Sequence, residues 1–347
     1  DIVPAEILGI EAGRETFGHR FHAPGGLKLK HAGDYEALLL EKGHVIADFD
    51  ARREKIVELA RTATDAGEAV LEQAVVDEVT ALVEWPVPVA GAFPEQYLEL
   101  PPEVLTYTLQ DHQKYFPVRK DGKLANAFVA MSNLDSTQPD EVRRGNERVV
   151  LPRLADAAFF WDQDTRTRLE DRCAGLDAVV YQQGLGSLSN KADRVVTLAV
   201  SLATATGADI DNTQRAAQLA KTDLLTDMVG EFPDLQGRMG YYYALKDGEP
   251  AEVATAIEEQ YLPRHASDRL PTTGAGIALS LADKLDTLAG IFALGKKPSG
   301  NKDPFGLRRQ ALGLVRIAVA NALDLNLPGL LRQAIELQPC EADANEL

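Results

Sequence analysis

Apolar positions recur along this chain in two rhythms over its first 150 residues and in a single helical rhythm thereafter. Ile2–Ile10 is rich in β-branched residues, carries a glycine near its end and predicts a strand. His19–Lys30 holds His-Ala-Pro-Gly-Gly in its middle and predicts a hairpin or loop. Between Ala47 and Gln73 the apolar positions Ile56, Leu59, Ala60, Ala63 and Ala66 fall at helical spacing among charges. A short helix is expected over Asp77–Glu84, stopped by Pro86. Val87–Phe93 predicts a strand. Pro101–Gln113 predicts a helix, because proline fits a first helical turn. Tyr115–Val118 and Ala127–Met131 predict paired strands around Arg119–Lys123, where Asp-Gly is a strong hairpin signal. Helices mixed with an antiparallel sheet make an α+β domain.

From about Leu151 the period is 3.6 throughout, over segments near 151–163, 188–206, 211–228, 250–261, 273–295 and 304–323. Glycine, proline and asparagine punctuate them at Gly184–Gly186, Gly207, Pro233, Pro271, Pro298–Asn301 and Pro328. No strand is expected there. The pattern predicts an α+β domain over 1–150 and an all-helical domain over 151–347, with the boundary near Glu141–Leu151.

Length and composition agree with two soluble domains: 347 residues, 45% apolar. No apolar run approaches the ~18 residues of a membrane span, so no membrane association is expected. The chain starts at Asp1 without a basic-then-apolar leader and ends in a polar, acidic stretch. It reads as an excised piece of a longer protein. Cys173 and Cys340 form neither a disulfide framework nor a metal spacing, which predicts a reducing cytoplasm.

A net charge of −17 argues against a general nucleic-acid binder, yet basic patches persist locally. Lys284 to Arg316 contains seven Lys/Arg against Asp286 and Asp303. Arg143, Arg144, Arg148 and Arg153 form a second cluster; Arg14, His19, Arg20, His22, Lys28, Lys30 and His31 form a third. Solvated faces or structural ion pairs are the plain explanation for any one of them. Three in an acidic chain keep a tethered nucleic-acid surface in play.

Searches for reactive chemistry fail one after another. The helical region has a single histidine, His265, whereas a dinuclear phosphohydrolase needs several beside its aspartates. Lys221-Thr222-Asp223 and Asp283-Lys284-Leu285-Asp286 put aspartates on amphipathic helices, where without histidines they cap, pair with Arg or Lys, or face water. His19 and His22 are spaced as a zinc half-site, but no cysteine pair or carboxylate-rich partner accompanies them. Hydrogen bonding to backbone or phosphate is the expectation. There is no G-x-S-x-G, and Gly184–Gly186 and Gly295–Gly300 lack the order of a phosphate loop. Phe159 and Phe160 are expected in the core rather than as stacking platforms.

Longer strings carry more information than composition. GHRFH (18–22), LVEWP (82–86), DHQKYFPV (111–118) and GNERVVLPRLADAAFFWDQD (145–164) occur in this order. QQGLGSLSNKADR (182–194), KTDLLTDMVGEFPDLQGRMGYYYA (221–244), LADKLDTLAGIFALG (281–295) and KDPFGLRRQALG (302–313) follow. The set, spanning Ile2 to Leu337, closely resembles the beta subunits of bacterial heterotetrameric glycyl-tRNA synthetases.

The resemblance implies a B3/B4-like α+β domain followed by an HD-like helical domain, with an anticodon-binding domain lying outside this sequence. It implies that the alpha subunit holds the class II site for glycine, with ATP and Mg, while this chain has no cofactor and engages glycine tRNA. Thr222-Asp223 and Asp283 stand where an HD enzyme would place metal ligands, so the HD site is expected to be degenerate. No catalytic residue carries over. Phosphate contacts are expected from Lys296, Lys297, Lys302, Arg308 and Arg309, and secondarily from Arg143, Arg144 and Arg148. Asp303 is expected as a helix N-cap with Pro304 at the first helical position, which would set Arg308 and Arg309 beside amide ends that favour phosphate. Pairing of Arg308 and Arg309 with Asp283 or Asp286 stays open. The expected function is a non-catalytic, tRNA-positioning part of a ligase. The alternatives are an independent hydrolase (HD-type phosphohydrolase or tRNA-editing deacylase) and a pure subunit-assembly module.

Overall fold

Two left-handed residues set the centre of the first sheet. Asp121 (φ 51°) and Gly122 (φ 78°) form a two-residue turn that pairs Lys120 with Lys123, the primed-turn geometry that suits the twist of antiparallel strands. Phe116–Lys120 and Lys123–Ser132 run from this turn as the middle strands of a four-stranded antiparallel sheet. Glu68–Ala69 and Val87–Ala92 are its edges. The structure, a computed structural model, describes residues 2–340. It separates into two units, Asp1–Ala158 and Phe159–Leu347.

Helices Phe49–Thr62 and Gln73–Leu82 cover one face of this sheet. Ile56, Ala60, Val76 and Val79 meet Phe116, Val118 and Val129 in a core with almost no solvent exposure. At ~1.5–3 kcal/mol per large side chain removed from water, this layer is the main stabiliser of the unit. The Asp48 carboxylate caps the first helix by accepting from the Ala51 N–H at 2.7 Å. The helix expected over Ala47–Gln73 stops at Thr62. Thr64, Asp65 and Gly67 break it, and Gly67 (φ +151°) lets the chain turn against the Arg119 carbonyl. A short edge strand begins at the next residue, Glu68. Ile2–Ile10 is likewise not one strand: Leu8 and Gly9 take positive φ between Glu6–Ile7 and Ile10–Glu11, which pair as a hairpin. Glu15–Phe17 and Gly26–Lys28 form another small ribbon, as the His-Ala-Pro-Gly-Gly signal suggested.

The helix Pro139–Asp164 contains the division between the units. Beyond it, helix Gly274–Ala293 is buried on nearly every side, including Ala278, Leu281, Ala282, Leu285 and Ala289, as an all-round apolar helix must be. Helices Leu188–Thr206, Ile210–Leu219, Ala251–Glu259, Leu307–Ala320 and Leu327–Glu336 pack around it. Small residues permit the close approach; a Cβ at Gly290 would meet Leu185 at 2.7 Å.

Four expectations for this unit need correction. Val180–Gln182 and Gly186–Ser187 pair as a small antiparallel ribbon, so the region is not strand-free. The helix near 211–228 is broken into Ile210–Leu219, a tight turn at Thr222–Leu225 and Asp227–Glu231. Helix Arg238–Lys246 was not anticipated, and Pro328 opens a helix rather than ending one. Phe159 is 57% exposed, not in the core, while Phe160 is half-buried. Among the described residues no helix is long and apolar enough to cross a membrane.

Gly91 faces Phe128 across the sheet, and its missing side chain makes room for that ring. Gly91→Val should therefore overpack the site and lower the chain's unfolding free energy by about 1–3 kcal/mol. Urea unfolding with an unaltered midpoint would contradict this.

Candidate functional site

Helix Leu188–Thr206 carries Lys191 and Arg194 on the same face as Leu188, Val195 and Leu198. A charge in an apolar stripe must find a buried partner. The partners come from helix Gly274–Ala293, where Asp283 and Asp286 lie one turn apart. Lys191 Nζ reaches Asp286 Oδ2 at 2.8 Å and Asp283 Oδ1 at 3.3 Å. Arg194 Nε donates to Asp286 Oδ1 at 2.6 Å, and Gln338 Nε2 adds a hydrogen bond to the same oxygen at 3.1 Å. Lys221, just after helix Ile210–Leu219, meets Asp283 Oδ1 at 3.0 Å with its ammonium 4.3 Å from the Tyr261 ring centre.

Burial and neighbouring charges pull these groups in opposite directions. Burial alone would push the Lys191 ammonium down, but Asp283 and Asp286 outweigh it and hold it well above the usual lysine range. Burial lowers Lys221, and with the charge of Lys191 it outweighs the pull of Asp283 and Asp223. Burial would raise Asp283, yet Lys191, Lys221 and Lys284 hold it below the usual carboxylate range. Asp286 is held down in the same way by Lys191 and Arg194. Lys284, lowered to about 8 by burial, donates to the Leu262 carbonyl at 2.7 Å and to Ser280 Oγ at 2.9 Å.

Thr222 and Asp223 are buried at the edge of the same cluster. Thr222 Oγ1 donates to the Leu219 carbonyl at 2.7 Å, so its hydroxyl serves the turn. Asp223 Oδ2 accepts from the Gly237 N–H at 2.5 Å, while its Oδ1 is buried without a hydrogen-bond partner. Among the described residues no three His, Cys, Asp or Glu side chains are grouped to hold a metal. This arrangement has neither an exposed nucleophile nor an open cation site. Chemically it is a lock between helices.

The expected phosphate-binding residues lie elsewhere. Lys296, Lys297, Lys302, Arg308 and Arg309 are all exposed around one loop, whose single acid is Asp303. Lys296 Nζ sits 5.2 Å from the Phe305 ring centre. The open question of Arg308 and Arg309 is resolved: Asp283 and Asp286 are taken by Lys191, Lys221 and Arg194. Asp303 does cap the helix, but from a distance. The helix starts at Leu307, not at Pro304, after Gly306 turns with φ 63°. The Asp303 carboxylate accepts from the N–H groups of Leu307 and Arg308, both at 2.9 Å. Those amides are thus already satisfied, and a phosphate there would rely on the side chains alone.

Arg143 pairs with Asp140 at 3.2 Å and Glu147 at 3.5 Å, and Arg144 with Glu141 at 3.2 Å, all along one helix. Arg148 is exposed and has no carboxylate partner among the described residues. His19 and His22 bond to backbone, as expected: His19 Nε2–H donates to the Asn133 carbonyl at 2.5 Å, and His22 Nε2 accepts from the Asp135 N–H at 3.0 Å. Lys191, Arg194 and Lys221 were absent from the expected set. For Lys191 and Arg194 the signal was a charge in the apolar phase of an amphipathic helix.

These features define a helical scaffold locked by buried charge and carrying a cationic loop. The family model for the glycyl-tRNA synthetase beta subunit matches residues 1–347, and the chain belongs to that family. It is 52% identical over 337 residues to the glycine–tRNA ligase beta subunit of Chromohalobacter salexigens, covering 96% of this chain and 49% of that protein. The beta subunits of Cronobacter sakazakii and Coxiella burnetii are 47% and 48% identical, over 97% and 96% of this chain and 49% of each relative. The chain thus spans about half the length of these relatives.

Two stability measurements test the lock. Asp286→Ala strands Lys191 and Arg194 in the interior and should cost about 3–5 kcal/mol in urea unfolding; a loss below 1 kcal/mol would show the cations relaxing to water. Burial raises the Asp223 carboxyl from its ordinary 3.8 to about 6, despite the Gly237 N–H. Such a group stabilises the fold fully below about pH 4 and loses that contribution as pH rises past about 6, a difference of about 3 kcal/mol. Asp223→Asn keeps the acceptor but not the titration. Its stability relative to wild type should therefore improve by about 3 kcal/mol between pH 4 and pH 7, and a pH-independent difference would refute the assignment.

Proposed function

We propose that this chain is a tRNA-positioning part of a glycine–tRNA ligase, working in the cytoplasm with an alpha subunit that joins glycine to tRNA using ATP and Mg. Family membership along the whole chain supports the reading. The observation that carries it is the loop of five exposed cations around one acid, Asp303, on a protein of net charge −17. Such a local reversal of sign attracts a phosphate backbone while the remaining surface repels it. In this reading residues 1–150 are B3/B4-like and 151–347 HD-like, with Thr222, Asp223 and Asp283 as the remains of an HD site turned to structural use. The paired arginines Arg143 and Arg144 rank below the loop, because a phosphate must compete there with Asp140, Glu141 and Glu147.

Contacts of this kind fix the register of the tRNA and present its 3′ end, and carry little sequence information. The chain itself supplies no step of aminoacylation, so alone it should give no glycine-dependent pyrophosphate exchange. With the reconstituted alpha–beta complex, Arg308→Ala/Arg309→Ala should weaken glycine tRNA binding and flatten the slope of log Kd against log salt by about two. An unchanged slope would remove this loop from the footprint.

A further inference from the structure

The turn His19–His22 is fastened from the inside and armed on the outside. His19 is buried and donates from Nε2 to the Asn133 carbonyl, while its Nδ1 accepts from the N–H groups of Phe21 and His22, both at 3.3 Å. The His22 ring lies 4.7 Å from that of His19 and 5.3 Å from that of His44, which stands edge-on to Trp85 at 5.2 Å. These contacts immobilise both ends of the turn and leave its two central residues in solvent. Arg20 is exposed, with its guanidinium carbon 5.1 Å from the centre of the Phe21 ring, and Phe21 is 66% exposed. Phe17, on the strand leading into the turn, is 68% exposed and opposite Gly26.

Charge around these rings runs against the rest of the molecule. Arg14, Arg20, Lys28 and Lys30 are exposed, with Glu15 the one acid between Arg14 and His31, in a chain with 53 acidic and 36 basic residues. The Glu15 carboxylate lies over Gly26. Two rigidly presented aromatic rings interleaved with cations have the composition of a base-stacking surface: each ring offers a π-face to any base, and the arginine adds charge.

We propose that the His19–His22 turn is a stacking platform for an unpaired RNA base, with Phe21 as the ring and Arg20 holding the adjoining phosphate. It rests on the tRNA-handling reading above and adds a single-stranded contact to it. A stiff turn matters for this use, because a ring already held in place loses little freedom when a base settles on it.

The test measures binding of the full chain to a fluorescent single-stranded RNA of about eight nucleotides and to the duplex of the same sequence, by anisotropy. Phe21→Leu keeps an apolar side chain at an exposed position; it should weaken single-strand binding by about tenfold and leave duplex binding unchanged, with Phe21→Tyr restoring the affinity. Arg20→Gln should flatten the single-strand salt slope by about 0.7. If wild type binds both RNAs and Phe21→Leu matches it on the single strand, the platform is overturned while the tRNA-handling reading stands. If Phe21→Leu keeps its RNA affinity but weakens association with the alpha subunit, the turn is a protein contact, which also overturns the platform. If wild type binds neither RNA, both readings fall together.

Discussion

Where helices Leu188–Thr206 and Gly274–Ala293 touch, Lys191 and Arg194 meet Asp283 and Asp286. Each of these ions alone would face several kcal/mol of desolvation on entering the core. Together, with Lys221 and Gln338 completing the coordination, they keep their charges in an interior otherwise built of leucine, alanine and valine. Such a cluster adds less net stability than a hydrophobic filling of equal volume would. It does specify which turn of one helix faces which turn of the other, since sliding by a turn would separate at least one ion from its partner. The central helix is smooth and rich in alanine and glycine, so apolar packing alone would define its register weakly.

Much of this arrangement is legible in the sequence, and the failures have physical causes. Leu188–Thr206 is readable to the residue because Ser187 and Asn190 cap it reciprocally and Gly207 ends it in the left-handed conformation. The Asp121–Gly122 hairpin is readable for the same kind of reason. By contrast, Val180–Gln182 and Gly186–Ser187 are too short to show an alternating pattern, and Gly184 between them looks like any loop glycine. Helix Arg238–Lys246 hides behind three consecutive tyrosines, which obscure its period. In the charge cluster, Thr222, Asp223 and Asp283 could be singled out by type. That their partners are Lys191 and Lys221 depends on which helices adjoin, and no local pattern encodes that.

The surface obeys a complementary rule. Part of the positive charge on this acidic protein is paired with neighbouring carboxylates, as Arg143, Arg144 and Arg215 show. Lys296, Lys297, Lys302, Arg308 and Arg309 instead share one loop with only Asp303 among them, and that carboxylate is turned toward the amides of Leu307 and Arg308. Capping the helix with Asp303 has a second consequence. The carboxylate is held below its usual range by those two N–H groups and by the charges of Arg308 and Arg309, so the helix start and the cationic surface depend on the same side chain.

Buried and exposed charge therefore have separate tasks. Inside, Lys191, Lys221 and Arg194 are matched to Asp283 and Asp286. Outside, cations stand exposed in a few places where the backbone is held by its own hydrogen bonds: the Asp303 cap in one unit and the His19 turn in the other. Held backbone under exposed positive charge suits a polyanion, because a flexible loop would spend much of the gained electrostatic energy on its own ordering. The same division accounts for the strongly perturbed ionisable groups of the helical unit: the shifts of Lys191, Asp283 and Asp286 arise where two helices are locked together.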